Sequence, residues 1–293
     1  MIIWPKRHIR IQFILGVVTA GIVSLICARI GPWWSTVIGP VIGTVYYHYS
    51  IRRYLWRRRL VNTPFPEKWR EYLDGYVKFY GYLDSEGKSL FENDVRIFID
   101  EQNIYGVKQA SVPDFIKVLI AASAAMLGHG KPEWEWPHMR DIIVYPTAFN
   151  EEYSIAEGAN LSGMVHQQGP ILFSERDLRY AFMKPNDGLN VALHELAHVM
   201  DMTDGAADGV PAGMGWLSRA PWIDVVSKRL IKIRRGECRQ ILRPYGGVNE
   251  AEFFAVAVEA FFERPMALKK NDKELYTLLS DYFNLDPEKM RKS

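Results

Sequence analysis

Asn190-Val191-Ala192-Leu193-His194-Glu195-Leu196-Ala197-His198-Val199-Met200-Asp201 is the stretch from which the rest of the chain is read. It carries His-Glu-x-x-His on a helical pattern. At about 100° per residue, positions i and i+4 lie nearly above one another, so the imidazoles of His194 and His198 can meet one ion. Glu195 projects to the side of that pair, where it reaches a water activated by the ion rather than the ion itself. The other positions are almost all apolar, as expected of a helix threaded through a core. A chance match would leave two hydrogen-bonded core histidines. Three polar groups on one side of an apolar helix argue against it, because buried polar groups without partners are costly.

A catalytic zinc keeps three protein ligands and one open position. No histidine follows His198, so the third ligand is expected to be a carboxylate. The segment Asn249–Glu263 (NEAEFFAVAVEAFFE) reads as a strongly apolar helix with Glu252 and Glu259 seven apart on one face. Glu252 is expected to bind the ion and Glu259 to support an imidazole from behind, although spacing alone does not decide between them. Glu250 and Glu263 are read as solvated. Asp201 shares the face of His194 and His198, and is either a partner of a ligand imidazole or an acid at a helix end. Asp204 and Asp208 read as Asx turns, with a structural cation as the alternative. His129, His138 and His166 lack ligand spacing.

Working outward, the 293 residues carry 36 basic and 34 acidic side chains, a net charge of +2 that gives no footprint for nucleic acid. The 2 cysteines, Cys27 and Cys238, exclude a disulfide framework and a Cys-type zinc site. Charge is uneven along the chain. Ile11–Ala28 and Ile30–Ile51 are free of charged residues, separated by Arg29 and flanked by Lys6, Arg7, Arg10 and by Arg52, Arg53, Arg57, Arg58, Arg59. Basic flanks collect on the cytoplasmic side, so residues 1–56 are expected to form a membrane hairpin with spans at about 11–29 and 33–50 and both ends inside. Residues 11–50 would meet the lipid bilayer of a bacterial inner membrane, with the catalytic part in the cytoplasm. Trp33, Trp34, Tyr46, Tyr47 and Tyr49 suit the interfaces.

Residues 57–68, basic and broken by Pro64 and Pro66, read as a linker, and 69–293 as one catalytic domain. Helices are predicted over Trp69–Tyr82, Leu90–Ile99, Phe115–Leu127, Leu189–Asp201, Ile223–Arg235, Glu250–Glu263 and Asp272–Phe283. Asp141–Pro146 reads as a strand and Leu161–Ser174 as a hairpin around Gln167–Pro170. The class is α+β, a small mixed sheet with helices on it. The hairpin is the expected docking edge for a substrate strand, though Met164 and Val165 equally suit a plain core.

Several segments together resemble the Mlc titration factor A (MtfA) family of zinc peptidases: HELAH at 194–198, the DMTDGAADGVP that follows, RPYGGVNEAEFFAVAVEAFFERP, LYTLLSDYFNLDP, VLIAASAAML, DIIVYP and LSGMVHQQGPILFS. The resemblance covers roughly residues 65–290 and implies a zincin-like fold of the gluzincin type, with a core similar to that of anthrax lethal factor. It implies one catalytic zinc held by His194, His198 and Glu252, a peptide or protein substrate, and Tyr245 facing that substrate as a donor to the oxyanion. The chain departs from the family at Val258, where serine is usual, and in HELAH, where the family has HEFAH. It also adds the membrane hairpin. The founding member sequesters a transcriptional repressor, so a regulatory protein partner, with peptidase activity secondary, is the competing expectation. A zinc hydrolase of amides or esters is the other.

Overall fold

Two helices, α1 (Lys6–Ile30) and α2 (Ile38–Val61), joined through a 3-10 turn at Trp33–Val37, make up one of the two units into which the computed structural model divides, Ile2–Pro64. The other unit is Phe65–Ser293 together with Met1. The structure describes residues 1, 3–137, 141–148, 163–165, 169–237 and 241–291.

In the first unit the helices run antiparallel, backbone against backbone. A Cβ on Gly39 would lie 2.2 Å from the Ala20 carbonyl oxygen, and one on Gly43 would lie 2.4 Å from that of Gly16. Among the described residues α1 alone is long and apolar enough to cross a membrane. The span predicted over 33–50 is not one helix: its first residues take the 3-10 turn. The uncharged part of α2, Ile38–Ile51, then rises only about 21 Å, short of a hydrocarbon core of about 30 Å. Residues 57–61, read as linker, instead complete α2, because arginine is a good helix former. The break comes at Pro64 and Pro66.

The second unit opens with α3 (Glu67–Tyr76), α4 (Lys78–Gly81) and α5 (Ser85–Glu101), followed by β1 (Ile104–Gly106) and α6 (Asp114–Gly128). Next come β2 (Ile142–Tyr145), β3 (Gly163–Val165), β4 (Ile171–Ser174), α7 (Glu175–Met183), α8 (Val191–Met202) and α9 (Trp216–Arg234). The chain then passes through α10 (Glu250–Glu263), α11 (Pro265–Asn271), α12 (Lys273–Phe283) and α13 (Pro287–Met290). The sheet order is β1-β2-β4-β3. Strands β1, β2 and β4 are parallel, and β3 returns antiparallel at the edge with Met164 opposite Leu172. The expected strand and both arms of the hairpin are therefore present in a mixed sheet. Leu161, His166, Gln167, Gln168, His138 and Cys238 lie outside the described residues.

The fold is mostly helical. Helix α6 is buried from Val118 to Gly128, and α8 packs against both it and α10. Fully buried small residues, Ala121, Ala122 and Ala124 on α6 and Ala192 and Ala197 on α8, let these backbones come close. Aromatic residues fill the far side. Phe261 stacks on Phe283 with centroids 5.6 Å apart, and Trp222 meets Phe254 edge-on at 5.8 Å. Truncating any such ring costs about 3–5 kcal/mol. That rigid core is what α8 threads.

Candidate metal centre

Each of the two site helices starts on an asparagine cap. Asn190 Oδ1 accepts from Leu193 N at 3.1 Å, and Asn249 Oδ1 accepts from Glu252 N at 2.8 Å. Each cap satisfies a backbone N–H that a helix start leaves open. Because α8 packs on α10, three side chains converge. His194 Nε2 lies 3.1 Å from Glu252 Oε2 and 3.3 Å from His198 Nε2, and His198 Nε2 lies 3.5 Å from Glu252 Oε2. These three residues form a group able to hold a metal ion. With ligand bonds of about 2.0–2.1 Å, neighbouring ligand atoms of a tetrahedron stand about 3.4 Å apart. The observed separations match that spacing, and two imidazoles with one carboxylate are a donor set suited to a divalent cation. The residues fit a metal.

His194 is bracketed by the two glutamates that sequence spacing could not tell apart. Glu252 is on its Nε2 side, and Glu259 Oε1 lies 2.6 Å from Nδ1. A proton on Nδ1 donated to Glu259 leaves the Nε2 lone pair facing inward. Burial opposes charge on His194, but its bonds to the two carboxylates outweigh that and raise its pKa. Burial also works to raise Glu252, and the two imidazoles more than offset it, lowering its pKa. A cation at the same atoms competes with that proton, so metal uptake releases it.

Glu259 is 1% exposed and fully used. It accepts from Asn190 N at 2.8 Å and from Arg243 Nη2 as well as facing His194. A buried carboxylate is tolerated when paired and hydrogen-bonded in this way.

Glu195 is buried beside the group, and burial pushes its carboxyl up to about 7 despite the two imidazoles. That lies where a general base serves best. Edge strand β3 passes directly over it: a Cβ on Gly163 would lie 2.4 Å from Glu195 Oε1. Tyr245 sits on the 3-10 turn Pro244–Gly247, which Arg234 fastens by donating to Gly247 O at 2.7 Å and Val248 O at 3.2 Å. Its ring centroid is 5.9 Å from that of His194. Burial and the carboxylates of Glu252 and Glu195 push its hydroxyl up to about 12, so it remains a proton donor at neutral pH. A cavity of about 470 Å³ opens from these groups, lined by His194, Glu195, Glu259, Tyr245, Arg243 and Gly163 and extending to α7.

Asp201 is fully buried, and its Oδ2 accepts from Gly209 N at 3.0 Å, which ties the loop after α8 to that helix. Its Oδ1 and His198 Nδ1 are both buried without a hydrogen-bond partner among the described residues. Asp204 and Asp208 accept from Ala206 N at 3.2 Å and Val210 N at 3.0 Å, which are Asx turns. His129 packs against Phe79 and Phe91, away from the cluster. Glu250 is exposed as expected. Glu263 is not: it is 5% exposed and accepts from Asn186 N at 2.7 Å and Asn190 Nδ2 at 3.2 Å. The reading of it as solvated is corrected by these donors, which come from the loop before α8.

Two residues escaped the sequence reading. Arg243 lies two before Tyr245 in a loop whose path could not be foreseen. Asn190 was read as part of the helix, whereas it caps α8 and its backbone N–H donates to Glu259.

A family model described as glucose-regulated metallo-peptidase M90 matches residues 52–284. An uncharacterized protein of Synechocystis sp. is 27% identical over 271 residues, covering 86% of this chain and 97% of its own length. Proteins named Mlc titration factor A from Pectobacterium atrosepticum and Escherichia fergusonii are 28% and 26% identical, each match covering 52% of this chain and 62% of the relative. The chain thus spans less than two thirds of the titration factors it matches.

Proposed function

The chain belongs to the glucose-regulated metallo-peptidase M90 family, and on that premise we propose that it is a membrane-tethered zinc peptidase of the gluzincin type. The observation that carries the reading is the convergence of His194, His198 and Glu252 on one point, with Glu195 alongside. These three would hold the zinc. When bound, it would polarise the scissile carbonyl and make the attacking water more acidic. Glu195 would take the proton from that water and pass it to the leaving amine. Tyr245 would donate to the oxygen that gains charge as the carbonyl is attacked. Glu259, steadied by Arg243 and Asn190, would fix the ring of His194, and Asp201 would brace the helix end beneath His198. A substrate strand would add to the β3 edge, which the position of Gly163 beside Glu195 supports.

In the same reading, residues 1–56 form a hairpin in a bacterial inner membrane that leaves residues 69–293 in the cytoplasm, the uncharged 3-10 turn Trp33–Val37 adding about 10 Å to the 21 Å of α2. The basic flanks of both apolar runs support it. Reporter fusions at the N-terminus and after Arg59 should both report cytoplasm, and an outside signal after Arg59 refutes the topology. For the site, Glu252→Ala in the full chain should lose bound zinc. Retention of one zinc per chain in that variant refutes Glu252 as ligand.

A second reading is favoured by the name of the relatives that are called Mlc titration factor A: the chain would bind and sequester a regulatory protein, with hydrolysis secondary. Capture of one stoichiometric protein partner by both wild type and Glu195→Gln, with no cleavage by either, would favour it.

A further inference from the structure

We propose that the outer face of α9 is a second membrane contact, lying among the headgroups of an anionic lipid surface with Trp216 and Leu217 as its anchor. The inference rests on the membrane-tether reading above and adds a contact made by the second unit itself. The inner face of α9 is already filled: Trp222, Val225, Val226, Leu230 and Ile233 are buried. At about 100° per residue, Trp216, Ala220, Ile223 and Ile231 fall within about 80° of one another on the other side. All four are exposed. Trp216 is 85% exposed and Leu217 81%, more than any other large apolar side chain described in this unit. Apolar residues scattered singly over a surface need no partner. A helix with one packed apolar face and a second apolar stripe in water is a different case. When cations border such a stripe, the pattern is that of a helix lying in a membrane interface.

Charge names the occupant. Residues 216–235 hold six bases and one acid. That acid, Asp224, pairs with Lys228. Arg229 pairs with Asp272, and Arg234 bonds the turn Pro244–Gly247. Arg219 borders the stripe on one side, Lys232 and Arg235 on the other, and all three are exposed with no ion-pair partner among the described residues. The start of the helix adds to them. Gly215 supplies no side-chain cap and the first turn carries no acid, so the positive end of the helix dipole is unanswered beside Trp216. A face that is cationic along both borders and at its end repels a basic partner or the same face of a second copy, and suits phosphate headgroups. Tryptophan is the side chain enriched at that depth. Lipid is also within reach, since only residues 62–66 join α2 to α3, a span of roughly 20 Å when extended.

The test uses the full chain with Cys27→Ser and Cys238→Ser, reconstituted in vesicles of phosphatidylglycerol and phosphatidylcholine. A polarity-sensitive fluorophore is attached to one new cysteine at a time: Leu217→Cys, Leu25→Cys on α1, and Leu90→Cys on α5 as the reference. All three positions are exposed, so none of the labels disturbs a core. With nitroxide-bearing lipid, the label at 217 should be blue-shifted and lose most of its emission, as should the label at 25, while the label at 90 keeps its own. Arg219→Glu with Lys232→Glu should restore emission at 217 and leave the label at 25 quenched. With 25 quenched, a label at 217 as bright as that at 90, or one quenched equally after charge reversal, overturns this proposal and leaves the tether standing. A blue-shifted label at 217 that the lipid does not quench marks a protein on that face and overturns it likewise. No quenching at 25 overturns the tether reading and this proposal with it.

Discussion

Gly163→Ala is a one-methyl perturbation whose effect can be worked from distances. The new Cβ would lie 2.4 Å from Glu195 Oε1 and 2.7 Å from both Glu195 Cγ and Val191 Cγ2. Ordinary contact between such atoms begins near 3.5 Å, so strand or side chain must yield by about 1 Å. Gly163 lies in a β-strand without a positive φ, so the alanine adds crowding and no backbone strain. Overpacking of this kind costs about 1–3 kcal/mol. At about 2–4 °C per kcal/mol for a domain of this size, Tm should fall by roughly 2–12 °C. The larger effect is catalytic, since a 1 Å displacement of a reacting group costs on the order of a hundredfold. Bound metal should be unchanged, because the methyl's three nearest atoms belong to Glu195 and Val191 and to none of His194, His198 and Glu252. The assay is kcat/KM on a peptide that the wild type cleaves, with metal content and Tm measured on the same samples. A variant within twofold of wild type would refute the placement of β3 over Glu195.

Glu259→Gln removes the charge behind His194 and leaves Arg243 unmatched, so metal affinity should fall about 10–100-fold in competition with a chelator; equal affinity would contradict the role given to Glu259. Burial pushes Glu263 up to about 7. The folded chain then keeps a proton that the unfolded chain loses near pH 4.5, so this group's contribution declines as pH rises from about 4.5 to 7, by at most roughly 3 kcal/mol. Urea unfolding at several pH values should show that decline reduced in Glu263→Gln, and parallel profiles would contradict it. Stripping the metal should lower Tm by about 5–10 °C, from about 2.7 kcal/mol of binding linkage at hundredfold saturation; a Tm indifferent to chelation would count against a metal held by the folded state.

What was legible in the sequence was periodic. Helix α10 begins and ends where its apolar run does, and α8 falls on its quoted segment because Asn190 caps it and fixed helical spacing aligns His194 with His198. Glu252 and Glu259 show the limit. Seven residues apart, they share a face, and both do reach the site, but only the packing of α8 on α10 decides which side of the His194 ring each one takes. Glu263 was misread for the same reason: an acid closing a helix is usually solvated, and the donors that bury this one, Asn186 and Asn190, are more than seventy residues away in the chain. Strand β1 and helix α7 were missed because three residues are too few for a period and the nine of ERDLRYAFM, four of them charged, give barely two turns. The span expected over 33–50 was read from composition, which does not show that its first residues take a 3-10 turn.

The most direct test of the central claim sets the wild-type full chain beside Glu195→Gln, each assayed for bound metal and for peptide cleavage. Both should carry one metal per chain, and only the wild type should cleave, with the variant lower by at least a hundredfold. Equal cleavage by the two proteins would contradict Glu195 as the base, and metal in neither would contradict the site itself.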